Sequence, residues 1–161
     1  NPAAQPAGKA APEDLQKIAQ KYKTPARLLC IEITESVLET DGDQAAAILK
    51  RLHSLGFLIS LDDFGTGYAS FHDLDRYPID FLKIDKSLLE SLEDPKTSPV
   101  LKGMIDMAHS LGIRVICEGV ESREAEQLLL SLGCDMAQGY LYGYAQPEED
   151  LDAMFEEAGN A

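Results

Sequence analysis

Three copies of one tripeptide, Ser54-Leu55-Gly56, Ser110-Leu111-Gly112 and Ser131-Leu132-Gly133, constrain the fold of this chain more than any other feature. Each closes a stretch with helical patterning and stands just before an apolar run. Glycine is the preferred residue at the left-handed position that ends a helix, so one helix-to-strand turn is expected to recur three times. The stretches themselves agree: Ile48, Leu49, Leu52 and Leu55 share a face over 45–55, as do Leu101, Met104, Ile105, Ala108 and Leu111 over 100–111. The apolar runs are short, at 28–33, 57–61, 81–84, 113–117 and, more weakly, 136–142. Strand and helix in alternation, at a spacing of roughly 25 to 30 residues, predict a parallel sheet of about five βα units.

Five such units build either an open doubly wound sheet or a sector of an eight-stranded barrel. No glycine-rich dinucleotide fingerprint follows the first run, and nearly every run ends in a polar cluster; both points favour the barrel. A complete barrel takes about 250 residues, against 161 here. The expectation is therefore an α/β fold of the (β/α)8 TIM-barrel type, truncated to about five βα units. Residues 1–11, rich in Ala, Pro and Gly, read as a flexible lead-in, and 12–161 as the domain. Pro12 to Lys23 reads as a first helix, with Glu13 and Asp14 at its positive end.

The formal charge of −14 argues against gripping a nucleic acid polymer or an anionic membrane, because most of the surface would repel phosphate. A small anion can still bind where cations reverse the local sign. Cys30, Cys117 and Cys134 are unclustered in sequence and lie in or beside apolar runs, which reads as buried free thiols. No leader-like segment opens the chain and no run of about 18 apolar residues occurs, so the expectation is a cytoplasmic chain without a membrane segment.

The chemistry gathers where the apolar runs end. In a parallel sheet these ends share one edge, so clusters far apart in sequence converge there. Glu32 stands in an otherwise apolar run, where it needs a partner: a buried cation or a metal. Asp62 and Asp63 are adjacent carboxylates that serve one site only if the backbone turns between them, and Gly65 and Gly67 are the candidates for that turn. Oxygen donors of this kind suit Mg²⁺ or Mn²⁺. Lys83 and Asp85 lie two apart and on one strand face, as a structural ion pair or as groups for positioning water and phosphate. Glu118 and Glu121 follow the fourth run, and Ser122 reads as a helix N-cap with Glu124 behind it. His53 and His109 precede helix-ending glycines and read as structural; His72 is a weaker candidate for the site.

Taken jointly, Glu32-Ile-Thr-Glu35-Ser, Asp62-Asp-Phe-Gly-Thr-Gly-Tyr68, Leu82-Lys-Ile-Asp85, Glu118-Gly-Val-Glu121 and Gln138-Gly-Tyr-Leu141 resemble, in order and spacing, the motifs of the EAL family of cyclic di-GMP phosphodiesterases. The resemblance covers residues 12 to 155. It implies a modified (β/α)8 barrel that hydrolyses the second messenger to linear pGpG with two Mg²⁺ or Mn²⁺ ions, Ca²⁺ being inhibitory. It further implies metal ligation by Glu32, Asp62 and Asp63, and catalytic roles for Lys83, supported by Asp85, and for Glu118. Glu121 and Gln138 would contact substrate or its water, and Glu35 would anchor the loop carrying Gly65 and Gly67. The family's Glu-Ala-Leu segment and a later strand asparagine are absent from these residues, and Gly143-Tyr144-Ala145 stands where Ser-Lys-Pro is usual. The chain by itself is accordingly expected to hydrolyse cyclic di-GMP weakly or not at all. The alternative is a non-catalytic module that binds the dinucleotide or a protein. A homodimer, or a further segment or partner domain, would cover the open barrel edge.

Overall fold

The computed structural model describes residues 11–40, 42–64, 74–90 and 97–147, together with Asp150. Its strands are β1 (Cys30–Thr34), β2 (Leu58–Phe64), β3 (Phe81–Ile84), β4 (Arg114–Cys117) and β5 (Met136–Ala137). The helices are α1 (Pro12–Lys21), α2 (Glu35–Thr40), α3 (Gly42–Ser54), α4 (Lys86–Glu90), α5 (Thr97–Ser110) and α6 (Arg123–Leu132), with a 3₁₀ turn at Ala26–Leu28. All pairings are parallel and the spatial order is β1-β2-β3-β4-β5. An order that never reverses lacks the switch point of a doubly wound sheet; it is the order of a barrel wall. Among the described residues no helix is long and apolar enough to cross a membrane.

Register sorts the side chains. Glu32 pairs with Ser60, Ser60 with Phe81, Lys83 with Ile116, and Ile116 with Met136, so these residues share one face. On the other face Ile59, Leu61, Leu82, Ile84, Val115 and Cys117 are fully buried, with Leu101, Ile105 and Ala108 of α5 equally closed off. At about 1.5–3 kcal/mol for each large aliphatic side chain buried, this helix-covered layer carries the stability. The first face is buried only at its centre, where Arg114 lies over the Phe81 ring at 4.2 Å. Its margins are open: Cys30, contrary to the expectation of a buried thiol, is exposed, and so is Met136.

The recurrent turn is present three times, with φ of 92°, 75° and 84° at Gly56, Gly112 and Gly133. A second echo accompanies it. Asp80 accepts the Ile59 amide and sits 3.5 Å from His53; Asp135 accepts the Val115 amide and sits 2.7 Å from His109. In both units the histidine before the glycine thus meets an aspartate that holds the next strand's amide. Although burial acts upward on Asp135, the Val115 amide and His109 hold its carboxyl below the usual range. A lowered folded value stabilises above the unfolded value and is lost as pH falls through the folded one. Asp135→Asn is expected to cost about 1 kcal/mol at neutral pH, a charged hydrogen bond discounted for solvent exposure. Urea midpoints of variant and parent should converge as pH falls below about 4.

Several boundaries differ from the sequence expectation. β1 begins at Cys30 because the Leu28 and Leu29 amides close the 3₁₀ turn on Pro25 and Ala26. β2 runs on through Asp62 and Asp63 to Phe64. β5 is two residues long. Ser122 caps α6 as expected, its Oγ accepting from the Ala125 amide at 3.1 Å. Apart from Ala11, the lead-in lies outside the described residues, as do Gly65, Gly67 and His72.

Candidate active site

A single ammonium group organises the strand-end edge. Lys83, in the middle of the sheet, is 5% exposed. Its Nζ lies 3.1 Å from Glu32 Oε1 on β1, 3.0 Å from Asp62 Oδ1 on β2 and 2.8 Å from Glu118 Oε1 just past β4. Burial acts against its charge, but the hydrogen bonds from Glu118, Asp62 and Glu32 outweigh burial and push the pKa up. Lys83 is therefore an ammonium at neutral pH, a donor and not a base. The cation sought for Glu32 is Lys83, brought to it across two strands.

The aspartate pair is opened by a break in the ladder. Leu61 pairs with Leu82 but Phe64 pairs with Ile84, so two β2 residues lie between pairings where β3 has one. Asp63 takes φ of 58° at this break, and its amide donates to Asp62 Oδ1 at 3.0 Å. A left-handed non-glycine residue is strained, and here the strain turns two successive carboxylates toward one place. One oxygen each of Asp62, Asp63 and Glu118 lies within 4.8 Å of the others. The set is all carboxylate, partly solvated and adjacent to an ammonium, which fits a hard divalent cation.

The remaining candidates separate from this centre. Asp85 does not pair with Lys83, whose ion pairs among the described residues are the three above. β3 ends at Ile84, and the Asp85 carboxylate accepts the Ser87 amide at 2.9 Å to cap α4. Those Ser87 contacts hold its pKa below the usual range. Glu35 is buried at the first residue of α2, and the loop it was expected to anchor lies largely outside the described residues. Glu121 and Gln138 line a cavity of about 320 Å³ beside the carboxylates, with Asp85, Glu118, Lys86 and Tyr140. Lys86, which adjoins the Lys83-Ile-Asp85 motif, is the residue that sequence reasoning missed, whereas Tyr140 belongs to the Gln138-Gly-Tyr-Leu141 motif without a role assigned to it.

Against this geometry the comparisons are consistent. The family model described as EAL domain matches residues 2–147. The bifunctional diguanylate cyclase/cyclic di-GMP phosphodiesterase MucR of Pseudomonas aeruginosa is 37% identical over 76% of this chain and 18% of its own length. The structure of the PaMucR phosphodiesterase in complex with c-di-GMP superposes with a TM-score of 0.84 at 32% identity, over 90% of this chain and 59% of that one. The manganese/cyclic di-GMP complex of Klebsiella pneumoniae BlrP1 gives 0.77 at 29%, over 84% and 35%. The chain spans between 17% and 35% of the length of the curated relatives it matches.

Proposed function

Because the chain belongs to the EAL-domain family, we propose that it contributes the strand-end carboxylates and lysine of a cyclic di-GMP phosphodiesterase. The observation that carries this reading is the convergence of Asp62, Asp63 and Glu118 within 4.8 Å beside the Lys83 ammonium. Glu32, Asp62 and Asp63, with Glu118 directly or through water, would hold Mg²⁺ or Mn²⁺. When bound, such ions supply Lewis acidity to the phosphodiester and to the attacking water.

The chain's own groups then have distinct tasks. Lys83 keeps its proton and donates to a phosphoryl oxygen or to water, offsetting negative charge gathered in the site. Glu118, already within hydrogen-bond reach of Lys83, is placed to accept a proton from water on the same side. Asp85 fixes the start of α4 and with it the wall carrying Lys86. Glu121 and Gln138 present polar groups to a guanine or ribose in the adjoining cavity. Further polypeptide, or a second copy, would cover the open face bearing Cys30 and Met136.

The second reading, a non-catalytic dinucleotide-binding module, is favoured by Gly143-Tyr144-Ala145, which stands where the family usually has Ser-Lys-Pro. One experiment separates the two. The whole polypeptide, given cyclic di-GMP and Mg²⁺, is expected to release the linear dinucleotide, measured by chromatography; the 161-residue chain alone is expected to release little or none. Calorimetry in Ca²⁺ should detect dinucleotide binding by the whole polypeptide. Binding without turnover would favour the module, and neither binding nor turnover would sink both readings.

A further inference from the structure

Behind the carboxylate edge, on the helix-covered face of the sheet, two thiols touch. Cys117 is the last residue of β4 and fully buried, whereas Cys134, in the turn between α6 and β5, is half-buried. Their Sγ atoms are 3.5 Å apart, only about 1.5 Å longer than a disulfide bond. The Cys134 thiol is held in this position: Sγ lies 3.1 Å from the Met136 carbonyl and 3.6 Å from that of Val115.

The two sulfurs differ in access. Cys134 lines a cavity of about 340 Å³ together with Glu126, Leu129, Leu130, Asp135 and Tyr142, and Leu130 at its rim is 68% exposed. Cys134 is therefore the member of the pair that the cavity opens onto, whereas Cys117 is closed off from solvent. An accessible thiol backed by a second one within reach is the arrangement that captures an oxidised sulfur as a disulfide before over-oxidation. Two thiols used only as small apolar residues need no such access.

We propose that Cys134 and Cys117 form a peroxide-responsive pair that closes to a reversible disulfide, stapling the carboxyl end of β4 to the turn between α6 and β5. The Cys134 thiolate attacks one oxygen of hydrogen peroxide; an S–O bond forms, the O–O bond breaks, sulfur loses two electrons, and hydroxide leaves and takes up the proton released by Cys134. The Cys117 thiol then attacks the Cys134 sulfur; the S–S bond forms, the S–O bond breaks, and the Cys117 proton departs with the hydroxide as water. Two thiols and one peroxide give one disulfide and two waters. Cys30 takes no part, because register puts it on the opposite face of the sheet. Since Glu118 follows Cys117 directly, the staple also fixes the strand end that presents this carboxylate.

The test is peptide mapping of the whole polypeptide after treatment with equimolar hydrogen peroxide and alkylation. The expected result is a Cys117–Cys134 cross-linked peptide, the loss of these two alkylatable thiols, their recovery with dithiothreitol, and a higher urea midpoint for the oxidised form. Cys134→Ser should abolish the cross-link, and Cys117→Ser should leave Cys134 as a trappable sulfenic acid. Cys134 carried to sulfinic acid with Cys117 still alkylatable would overturn the proposal. So would both thiols unchanged in peroxide, or cross-links made through Cys30 instead.

Discussion

Replacing Lys83 with Met should lower turnover of cyclic di-GMP by the whole polypeptide about 10²- to 10³-fold, the usual cost of removing one preorganised electrostatic donor. Methionine fills much of the same buried channel, so packing is largely kept and the charge is what changes. Without the ammonium, Glu32, Asp62 and Glu118 face one another with no cation among them. Glu32, 55% exposed, can turn to water, whereas Asp62 and Glu118, at 23% and 21%, are more confined. Removing one partner of a buried ion pair costs about 3–5 kcal/mol; with these carboxylates part-solvated, a loss of about 2 kcal/mol is expected. Divalent cation should therefore raise the urea midpoint of Lys83→Met more than that of the parent, since it substitutes for the missing charge. Lys83→Arg should recover more stability than turnover, because charge is restored but the donor geometry is not. Turnover of Lys83→Met within about threefold of the parent would remove Lys83 from the reaction.

Much of this site was legible because strand ends in a parallel sheet must converge, and the apolar runs located those ends. Which carboxylates Lys83 would meet was not legible. Its partners come from β1, β2 and the end of β4, and only the register, with Lys83 beside Ile116 and Thr34 beside Asp62, decides that. Strand parity placed Asp85 with Lys83, but parity lapses once β3 stops at Ile84 and the Ser87 amide claims the carboxylate. Gly65 and Gly67, the residues from which the turn between the aspartates is expected, lie outside the described residues; what the described residues add is that Asp63 itself is left-handed, with φ of 58°. Propensity could not suggest this, since the strain at Asp63 is sustained by tertiary pairing. Helix α2 went unread because six residues from Glu35 to Thr40 are too few to establish a periodicity. The third apolar run, by contrast, coincides with β3, which is buried along its whole length, and the first and fourth needed only small boundary shifts, since apolar runs of this length are what sequence does display.

Gly139→Ala should be among the most damaging single substitutions in the described chain, and for steric reasons alone. A Cβ at position 139 would stand 2.2 Å from the Val120 carbonyl oxygen and 2.3 Å from its nitrogen. Those atoms are backbone, so no side chain can rotate away to relieve the clash. They are also engaged: the Val120 amide donates to the Gln138 carbonyl, and the Val120 carbonyl accepts the Leu141 amide, each at 3.0 Å. This close backbone approach ends β5 after two residues and ties it to the Glu118–Glu121 turn, so one methyl group strains both at once. Overpacking of this kind costs about 3 kcal/mol or more when the neighbours cannot yield. The same shift would displace Gln138 and Tyr140 from the cavity they share with Glu118 and Glu121, so dinucleotide affinity should fall along with the urea midpoint. Gly103→Ala supplies the contrast: Gly103 lies inside α5, exposed, with nothing within 4 Å of a new Cβ. There alanine should stabilise by about 0.5–1 kcal/mol, through better helix propensity and a less entropic unfolded chain. If the two substitutions shifted the midpoint alike, the packing of Gly139 against Val120 would not be the reason that glycine stands there.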